Sequence, residues 1–385
     1  MKNGSVFNLQ SSLIQASILA AREKRAFLKK QCATLGKNAL SVSLNIPGYP
    51  KSTPLFSAFF NQVLAEFKRF LRARRILIET QQEVCLCNEA GDFYLVPLGA
   101  DKPLTEIKAL CETFEERHCL GRLIDVDITD QAFQPISSKK LKRCFLCEQP
   151  AIVCMREHTH SYQDLRDLIA AQVEAYLAQT RQKWVCQQLA SIALKASLYE
   201  IAVSPKPGLI DRFDQGAHQD MDYFTFLDST AALAGYFEEF ARSGYTFQAD
   251  DFPSALPLIR EIGLLMEAAM FQATKGVNTQ KGLIFLMGLS LFAASYIIAR
   301  DGRFDVSNCQ TVIAGICRNL VQNELAAMAT KAEQTHGEIC FQRYGELSGG
   351  VRKEAEDGFP AVFEHGLPEL KTQLEIGNSE TQKLR

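Results

Sequence analysis

The sequence predicts an α+β domain followed by an all-α helical bundle, and three observations carry that reading. Strand-like runs, alternating or continuously apolar and bounded by turn residues, fall between Ser41 and Ile128. From Tyr162 onward the apolar spacing is helical. Within that second part, Gly282 to Ala299 (GLIFLMGLSLFAASYIIA) carries no charge and sits at the lower limit for a membrane span. Its many small residues and amphipathic neighbours mark it instead as the buried helix of a bundle, so no membrane partner is expected. The boundary falls near residues 176–182, giving domains 1–178 and 179–385 with little or no linker.

At 385 residues the chain is long enough for two cores. A net charge of −2 supplies no general drive toward polyanions, so any phosphate site must be local. Twelve cysteines in such a length suit reduced thiols better than a disulfide framework. The N-terminal MKNGSVFNLQ lacks the apolar run of a signal peptide, and the expected location is the cytoplasm.

Residues 9–35 read as a helix with a basic flank of Arg22, Lys24, Arg25, Lys29 and Lys30. SVSLNIPG (Ser41 to Gly48) reads as a strand running into a Pro-Gly loop. Leu55 to Arg75 is helical and ends in a cluster of five cations, Lys68, Arg69, Arg72, Arg74 and Arg75. Two β-like runs flank Asn88 to Asp92, a predicted hairpin, and Leu104 to His118 forms another helix. RLIDVDI (Arg122 to Ile128) is a strand whose apolar Leu123, Ile124, Val126 and Ile128 suggest a central position. Asp125 and Asp127 lie two apart and share a face. Such a pair can hold Mg²⁺ against phosphates, which makes this domain nucleotidyltransferase-like; a solvated strand edge is the competing reading.

After a basic run (Lys139, Lys140, Lys142, Arg143) come Cys144, Cys147, Cys154 and His160. These four suffice for tetrahedral zinc, with His158 competing for the fourth place; reduced cysteines packing a small knuckle are the alternative. A zinc-knuckle RNA binder would interleave aromatics with its cations. Phe67 and Phe70 are the ones that do so, and no nucleic-acid partner is expected.

Tyr162 to Gln179 and Arg181 to Ile201 read as two helices. Between them and the helix Phe226 to Ser243 lies Ser204 to Phe226, SPKPGLIDRFDQGAHQDMDYFTF, a loop with an unusual load. Lys206 and Arg212 can face a polyanion, while Asp211, Asp214, Asp220 and Asp222 can hold Mg²⁺ or accept protons. Phe213, Tyr223, Phe224 and Phe226 are expected to be buried; Asp222 as a plain helix cap is the alternative. Ala255 to Thr274 is a helix, and KGVNTQKG (Lys275 to Gly282) then precedes the buried helix. Asn278, Thr279 and Lys281 there make either an anion cradle or an ordinary cap. Ser307 to Leu320 is helical, extending toward Ala332, and THGE follows at Thr335 to Glu338. In GGVRKEAEDGFP (Gly349 to Pro360), Arg352 either binds phosphate or pairs with Glu356. The tail from Leu370 is polar, and its last residues are expected to be disordered.

The loaded loop, GVNT-x-KG, THGE and GGVRKEAEDGFP, in this order, resemble the triphosphoribosyl-dephospho-CoA synthase family. Residues from about Ile14 to Tyr162 resemble the apo-citrate lyase phosphoribosyl-dephospho-CoA transferase family, through LNIPG (Leu44 to Gly48), GRLIDVD (Gly121 to Asp127) and RCFLCEQPAIVCMREHTH (Arg143 to His160). Together the resemblances cover most of the chain and imply a fused, bifunctional enzyme. Its second half would join ATP to 3′-dephospho-CoA with loss of adenine. Its first half would then pass the phosphoribosyl-dephospho-CoA unit to a serine of the citrate lyase acyl carrier subunit, releasing pyrophosphate. On that resemblance Asp125 and Asp127 would bind Mg²⁺ and Arg122 the phosphates. Asp211, Asp220 and Asp222 would serve the synthase chemistry, the last two on Mg²⁺, with His218 protonating the leaving base. Lys206, Arg212, Asn278, Thr279, Lys281 and Arg352 would bind its phosphates.

Two departures stand out. Gln280 occupies a position where the synthase family reads histidine. A further helix with a D-T-N…R-G-G motif is expected before a natural end and does not occur before Arg385. The expectation is a C-terminal truncation or an impaired synthase half; the alternative to the two-step reading is that the first half alone turns over and the second is a relic or binding module.

Overall fold

The computed structural model describes residues 3–99, 102–137, 142–147, 149–249, 251–323, 343 and 350–381, with side chains described between residues 12 and 376 of these. Lys139, Lys140, Ala332, the THGE segment, Gly349 and the last four residues lie outside the described residues. The fold is mixed, with a small antiparallel sheet and many helices. The chain divides into two compact units, Met1–Gln179 and Thr180–Arg385.

In the first unit, α1 (Asn3–Thr34) leads into β1 (Asn38–Leu44), followed by α2 (Pro54–Ala73), the hairpin β2 (Val84–Asn88) and β3 (Gly91–Leu98), α3 (Leu104–Arg117) and β4 (Ile124–Thr129). The four strands form an antiparallel sheet in the order β2-β3-β1-β4. Strand periodicity sorts the side chains. Leu40, Val42, Tyr94, Val96, Val126 and Ile128 enter the main core with α2, while Ala39, Phe93 and Leu95 meet Leu28 and Cys32 of α1 on the opposite face. Helix α2 starts at Pro54, its first N–H groups served by the Thr53 hydroxyl, which accepts from the Phe56 N–H at 3.2 Å. Its heptad-like stripe Phe56, Phe60, Val63, Phe67 and Leu71 is buried.

The structure corrects the position of the Asp-bearing strand: β4 is an edge strand, not a central one. Its apolar composition has a different cause. The outward N–H of Val126 donates to Glu115 Oε1 at 2.7 Å, and its carbonyl accepts from Lys108 Nζ at 2.6 Å, both from α3. Side chains thus cover the open edge that another strand would otherwise fill.

A second correction concerns the helices at the boundary, not its position. After α4 (Ala151–Glu157), one unbroken 41-residue helix, α5 (Tyr162–Ala202), replaces the two predicted helices. Residues 176–182 contain neither glycine nor proline, so nothing interrupts the backbone hydrogen bonds there. The passage between units occurs inside this helix.

The second unit holds α6 (Tyr223–Thr246), α7 (Ala255–Ala273), α8 (Lys281–Asp301), α9 (Val306–Ile316), α10 (Gly350–Glu356) and α11 (Leu367–Thr381), so the polar tail is helical through Thr381. Among the described residues α8 is the one helix long and apolar enough to cross a membrane. It packs against α6, α7 and α9, with Ile284, Leu289, Leu291, Phe292, Ala293 and Ile297 in the helical core. Close approach accounts for a glycine on each helix: a Cβ on Gly288 of α8 would meet the Phe240 ring at 2.9 Å, and one on Gly244 of α6 would meet the Phe292 carbonyl oxygen at 2.2 Å.

Candidate functional site

The GRLIDVD segment is built around a steric requirement. A Cβ at Gly121 would lie 1.5 Å from the Glu115 carbonyl oxygen, so only glycine lets the chain turn from α3 into β4. Arg122 sits in that turn. Its Nε donates to the Arg143 carbonyl and its guanidinium lies 4.4 Å from the Phe145 ring centre. One strand further, Asp125 and Asp127 project from the α1-covered face of the sheet, opposite Ser43 and Ser41 in the β1 register. Each carboxylate already has a lysine: Lys142 bonds Asp125, and Lys29 of α1 lies 3.5 Å from Asp127. The pair is accessible, Asp127 with 52% of its side chain exposed, so ligand entry need not break a packed core.

Beside this strand lies a cavity of about 1020 Å³. Its lining includes Arg22, Lys51, Arg122 and Lys142 together with apolar side chains, and among the described residues no carboxylate lines it. Lys51 follows the LNIPG loop. Its Nζ donates to the Ile46 carbonyl at 2.5 Å, and burial, with Arg22 and Arg166 nearby, holds its pKa below the usual lysine range. Arg166 fixes the same loop by donating to the carbonyls of Pro47 and Pro50 at 3.1 and 2.7 Å. Gly48 takes φ +64° in that loop, a left-handed conformation suited to glycine. The sequence reading placed Arg22 in a basic flank and missed Lys51; its position directly after a Pro-Gly loop was the available signal.

Cys144, Cys147, Cys154 and His160 come together, their ligand atoms all within 4.8 Å of one another. The fourth member is His160, not His158. His158 ends α4 in a left-handed conformation, and the turn brings His160 back to the sulfurs.

In the second unit, the loaded loop is real but its charges are deployed differently from expectation. Asp211 is buried and accepts from the backbone N–H groups of Lys206, Phe213 and Asp214 at 3.0, 2.8 and 3.0 Å. Those N–H groups, Phe213 and Lys206 foremost, hold its carboxyl below the usual range. It organises the loop. Asp222 is the N-cap of α6, accepting from the Thr225 N–H at 2.8 Å in a reciprocal capping box. Lys206 pairs with Glu200 at 2.8 Å, and Arg212 lies 5.6 Å from the Phe213 ring centre. His218 and Asp220 lie 4.0 Å apart, the histidine half-buried and the aspartate exposed. The expected burial of four aromatics is half corrected: Tyr223 and Phe226 pack with Ile201, Ile210 and Met221, whereas Phe213 and Phe224 are 83% and 71% exposed.

Val277 joins that same small cluster, so the structure does bring the loop and KGVNTQKG together. Thr279 donates to Ser229 at 2.7 Å. Gln280, only 6% exposed, accepts from the Ser229 and Thr230 hydroxyls at 2.9 and 3.3 Å. Lys281 pairs with Glu267 at 2.6 Å, and its N–H meets Asn278 Oδ1 at 3.3 Å, the pattern of a local cap. Arg352 stands on α10, which packs against α9.

Comparison with known proteins assigns each part. Residues 14–176 match the family described as apo-citrate lyase phosphoribosyl-dephospho-CoA transferase. Residues 186–385 match the family described as ATP:dephospho-CoA triphosphoribosyl transferase. Protein CitXG of Leuconostoc mesenteroides subsp. cremoris is 34% identical over 371 residues, covering 92% of this chain and 77% of that protein. A probable 2-(5′′-triphosphoribosyl)-3′-dephosphocoenzyme-A synthase of Streptococcus pyogenes serotype M3 is 38% identical over 213 residues, 53% of this chain and 72% of its own length. The truncation expected from the sequence is not evident in these matches. The chain is a transferase of citrate lyase prosthetic-group biosynthesis and belongs to the family that joins the phosphoribosyl-dephospho-CoA transferase and the triphosphoribosyl-dephospho-CoA synthase in one polypeptide.

Proposed function

We propose that the chain carries out two consecutive reactions. Residues 179–385 form the synthase domain, in which a ribose hydroxyl of 3′-dephospho-CoA attacks C1′ of ATP's ribose. Adenine leaves and the triphosphate stays on the product. Residues 1–178 form a nucleotidyltransferase-like domain that transfers the phosphoribosyl-dephospho-CoA unit to a serine of the citrate lyase acyl carrier subunit and releases pyrophosphate. The observation that carries this reading is the match of two different transferase families to the two parts of one chain. A cytoplasmic setting would supply ATP and keep the many thiols reduced.

In the transfer step the precursor's polyphosphate would enter the cavity lined by Arg22, Lys51, Arg122 and Lys142. Positive groups crowded together, with no carboxylate among the described lining residues, favour an anion. Asp125 and Asp127 fit Mg²⁺: two oxygen-donor side chains on one strand face, accessible, with lysines that can turn to phosphate when the ion takes their place. The ion would neutralise phosphate charge as the serine hydroxyl attacks the α-phosphoryl group. Arg122, backed by Phe145, would orient the leaving pyrophosphate.

In the synthase step, loss of adenine leaves positive charge on the ribose, which carboxylates stabilise. Asp220 and His218 are the solvent-accessible pair for this task. Asp220 would act near the metal or the attacking hydroxyl, and His218 would protonate adenine. Asp211 shapes the loop that presents them, and Asp222 fixes its end at α6. Lys206, Arg212, Asn278, Thr279, Lys281 and Arg352 are proposed for the phosphates.

The test treats the half-reactions separately. Purified protein with ATP, Mg²⁺ and 3′-dephospho-CoA should release adenine, read by chromatography. Protein with ready-made triphosphoribosyl-dephospho-CoA and apo-carrier should add one phosphoribosyl-dephospho-CoA mass to the carrier. Failure of either assay removes the corresponding half of the proposal.

A further inference from the structure

We propose that Cys144, Cys147, Cys154 and His160 bind one structural zinc ion, and that this ion locks the segment carrying the basic wall of the transferase cavity. The four ligand atoms converge within 4.8 Å of one another. Cys147 Sγ lies 3.4 Å from Cys154 Sγ, and His160 Nε2 lies 3.3 Å from Cys147 Sγ. Tetrahedral zinc with bonds of about 2.3 Å to sulfur and about 2.0 Å to nitrogen places its ligand atoms roughly 3.4–3.8 Å apart. Two pairs stand at about that spacing, and the whole set lies within 4.8 Å, so side-chain movements of about an ångström or less close it on an ion. Thiols are weak hydrogen-bonding partners, so three sulfurs and an imidazole nitrogen gain little by converging on one another. Among the described residues no other group of three or more His, Cys, Asp or Glu side chains converges in this way.

The backbone around the cluster is that of a metal knuckle. The Leu146 N–H points at Cys144 Sγ at 3.5 Å, an outer hydrogen bond suited to a thiolate ligand. The Cys144 N–H donates to the Gln149 carbonyl at 2.8 Å, and Arg143 bridges Pro150, closing the turn that presents Cys144 and Cys147. Helix α4 carries Cys154, and the left-handed His158 returns the chain to place His160. Three sulfurs and one imidazole suit zinc rather than magnesium. Protein atoms fill all four positions, so the ion is closed to substrate and serves structure.

Its consequence for the cavity rests on the transferase reading. The Lys142 carbonyl accepts from the Ala151 N–H at 2.9 Å, Arg122 donates to the Arg143 carbonyl, and Phe145 lies under the Arg122 guanidinium. The knuckle is therefore the shared support of two of the cavity's cations, Arg122 and Lys142, and holding it rigid positions them.

The test is elemental analysis of the full chain purified under reducing conditions. About one zinc per chain is expected, retained by Cys85→Ser, whose thiol is exposed on β2 and outside the cluster. Cys147→Ser and His160→Ala should each lose most of the metal and melt at lower temperature. Should these variants fail to fold, wild-type protein stripped of zinc and loaded with cobalt(II) should show the thiolate charge-transfer and intense ligand-field absorption of a tetrahedral site. Zinc far below one per chain that does not rise on reconstitution, full retention in a folded ligand variant, or an octahedral cobalt spectrum would overturn the proposal. Carrier transfer is measured apart: zinc-loaded protein unable to modify the carrier refutes the transferase reading and leaves the metal site standing.

Discussion

The two candidate sites use charge in opposite ways. In the first unit, cations line a cavity beside an accessible carboxylate pair, and Lys142 among them is held by a side chain, Asp125, that can exchange for ligand. In the second, the carboxylates are largely committed to the backbone: Asp211 accepts three N–H bonds and Asp222 caps α6. Lysines 206 and 281 are paired with Glu200 and Glu267. The difference teaches which substitutions separate chemistry from folding. Around Asp125 they should; around Asp211 they should not.

Asp125→Asn gives the largest expected effect. Carrier modification should fall by about a hundredfold or more, the scale of removing an electrostatic stabiliser of the transition state. Melting temperature and adenine release should stay near wild type. Asp211→Ala is the counterpart in the other unit: three N–H groups lose their acceptor, so adenine release and the melting temperature should drop together, the latter by about 5 °C. A variant that lost adenine release with unchanged melting would make Asp211 catalytic and erase the contrast.

Arg122→Ala should raise the KM for triphosphoribosyl-dephospho-CoA about tenfold or more, since a charge-assisted hydrogen bond contributes roughly 1.5–3 kcal/mol. Gln280→Ala should cost about 1–3 kcal/mol in denaturant unfolding, because the buried Ser229 and Thr230 hydroxyls lose their acceptor.

The smallest effect is on pH dependence in the first unit. Burial pushes the Glu66 carboxyl up, but hydrogen bonds from His118, Tyr176 and Gln62 outweigh it and hold the group at about 2, against an ordinary value of 4.5. Because the folded pKa lies below the unfolded one, this stabilisation is present above pH 4.5 and is lost as pH falls through 2. Melting curves of Glu66→Gln should show a shallower decline than wild type across that window.

Much of this was legible in the sequence. The hairpin about Asn88 and Gly91, the amphipathic α2 and the uncharged α8 follow from periodicity and turn chemistry, which act locally. Asp125 and Asp127 sharing a face is a consequence of strand geometry alone. What stayed hidden depends on partners distant in sequence. Lys108 and Glu115 closing the edge of β4 made an edge strand read as a central one. The part of Asp211 in its own loop could not be told from catalysis, because a carboxylate among glycines and prolines suits either role. Lys51 escaped notice because its neighbours in the cavity, Arg22 and Arg122, come from other elements.

The most direct measurement combines both halves in one vessel: full-length protein, ATP, 3′-dephospho-CoA, Mg²⁺ and apo-carrier subunit, with adenine and intact carrier mass followed together. The account predicts that the carrier gains one phosphoribosyl-dephospho-CoA unit on a serine, with at least one adenine released for each carrier modified. A carrier of unchanged mass while adenine accumulates, or a modified carrier without adenine release, would contradict it.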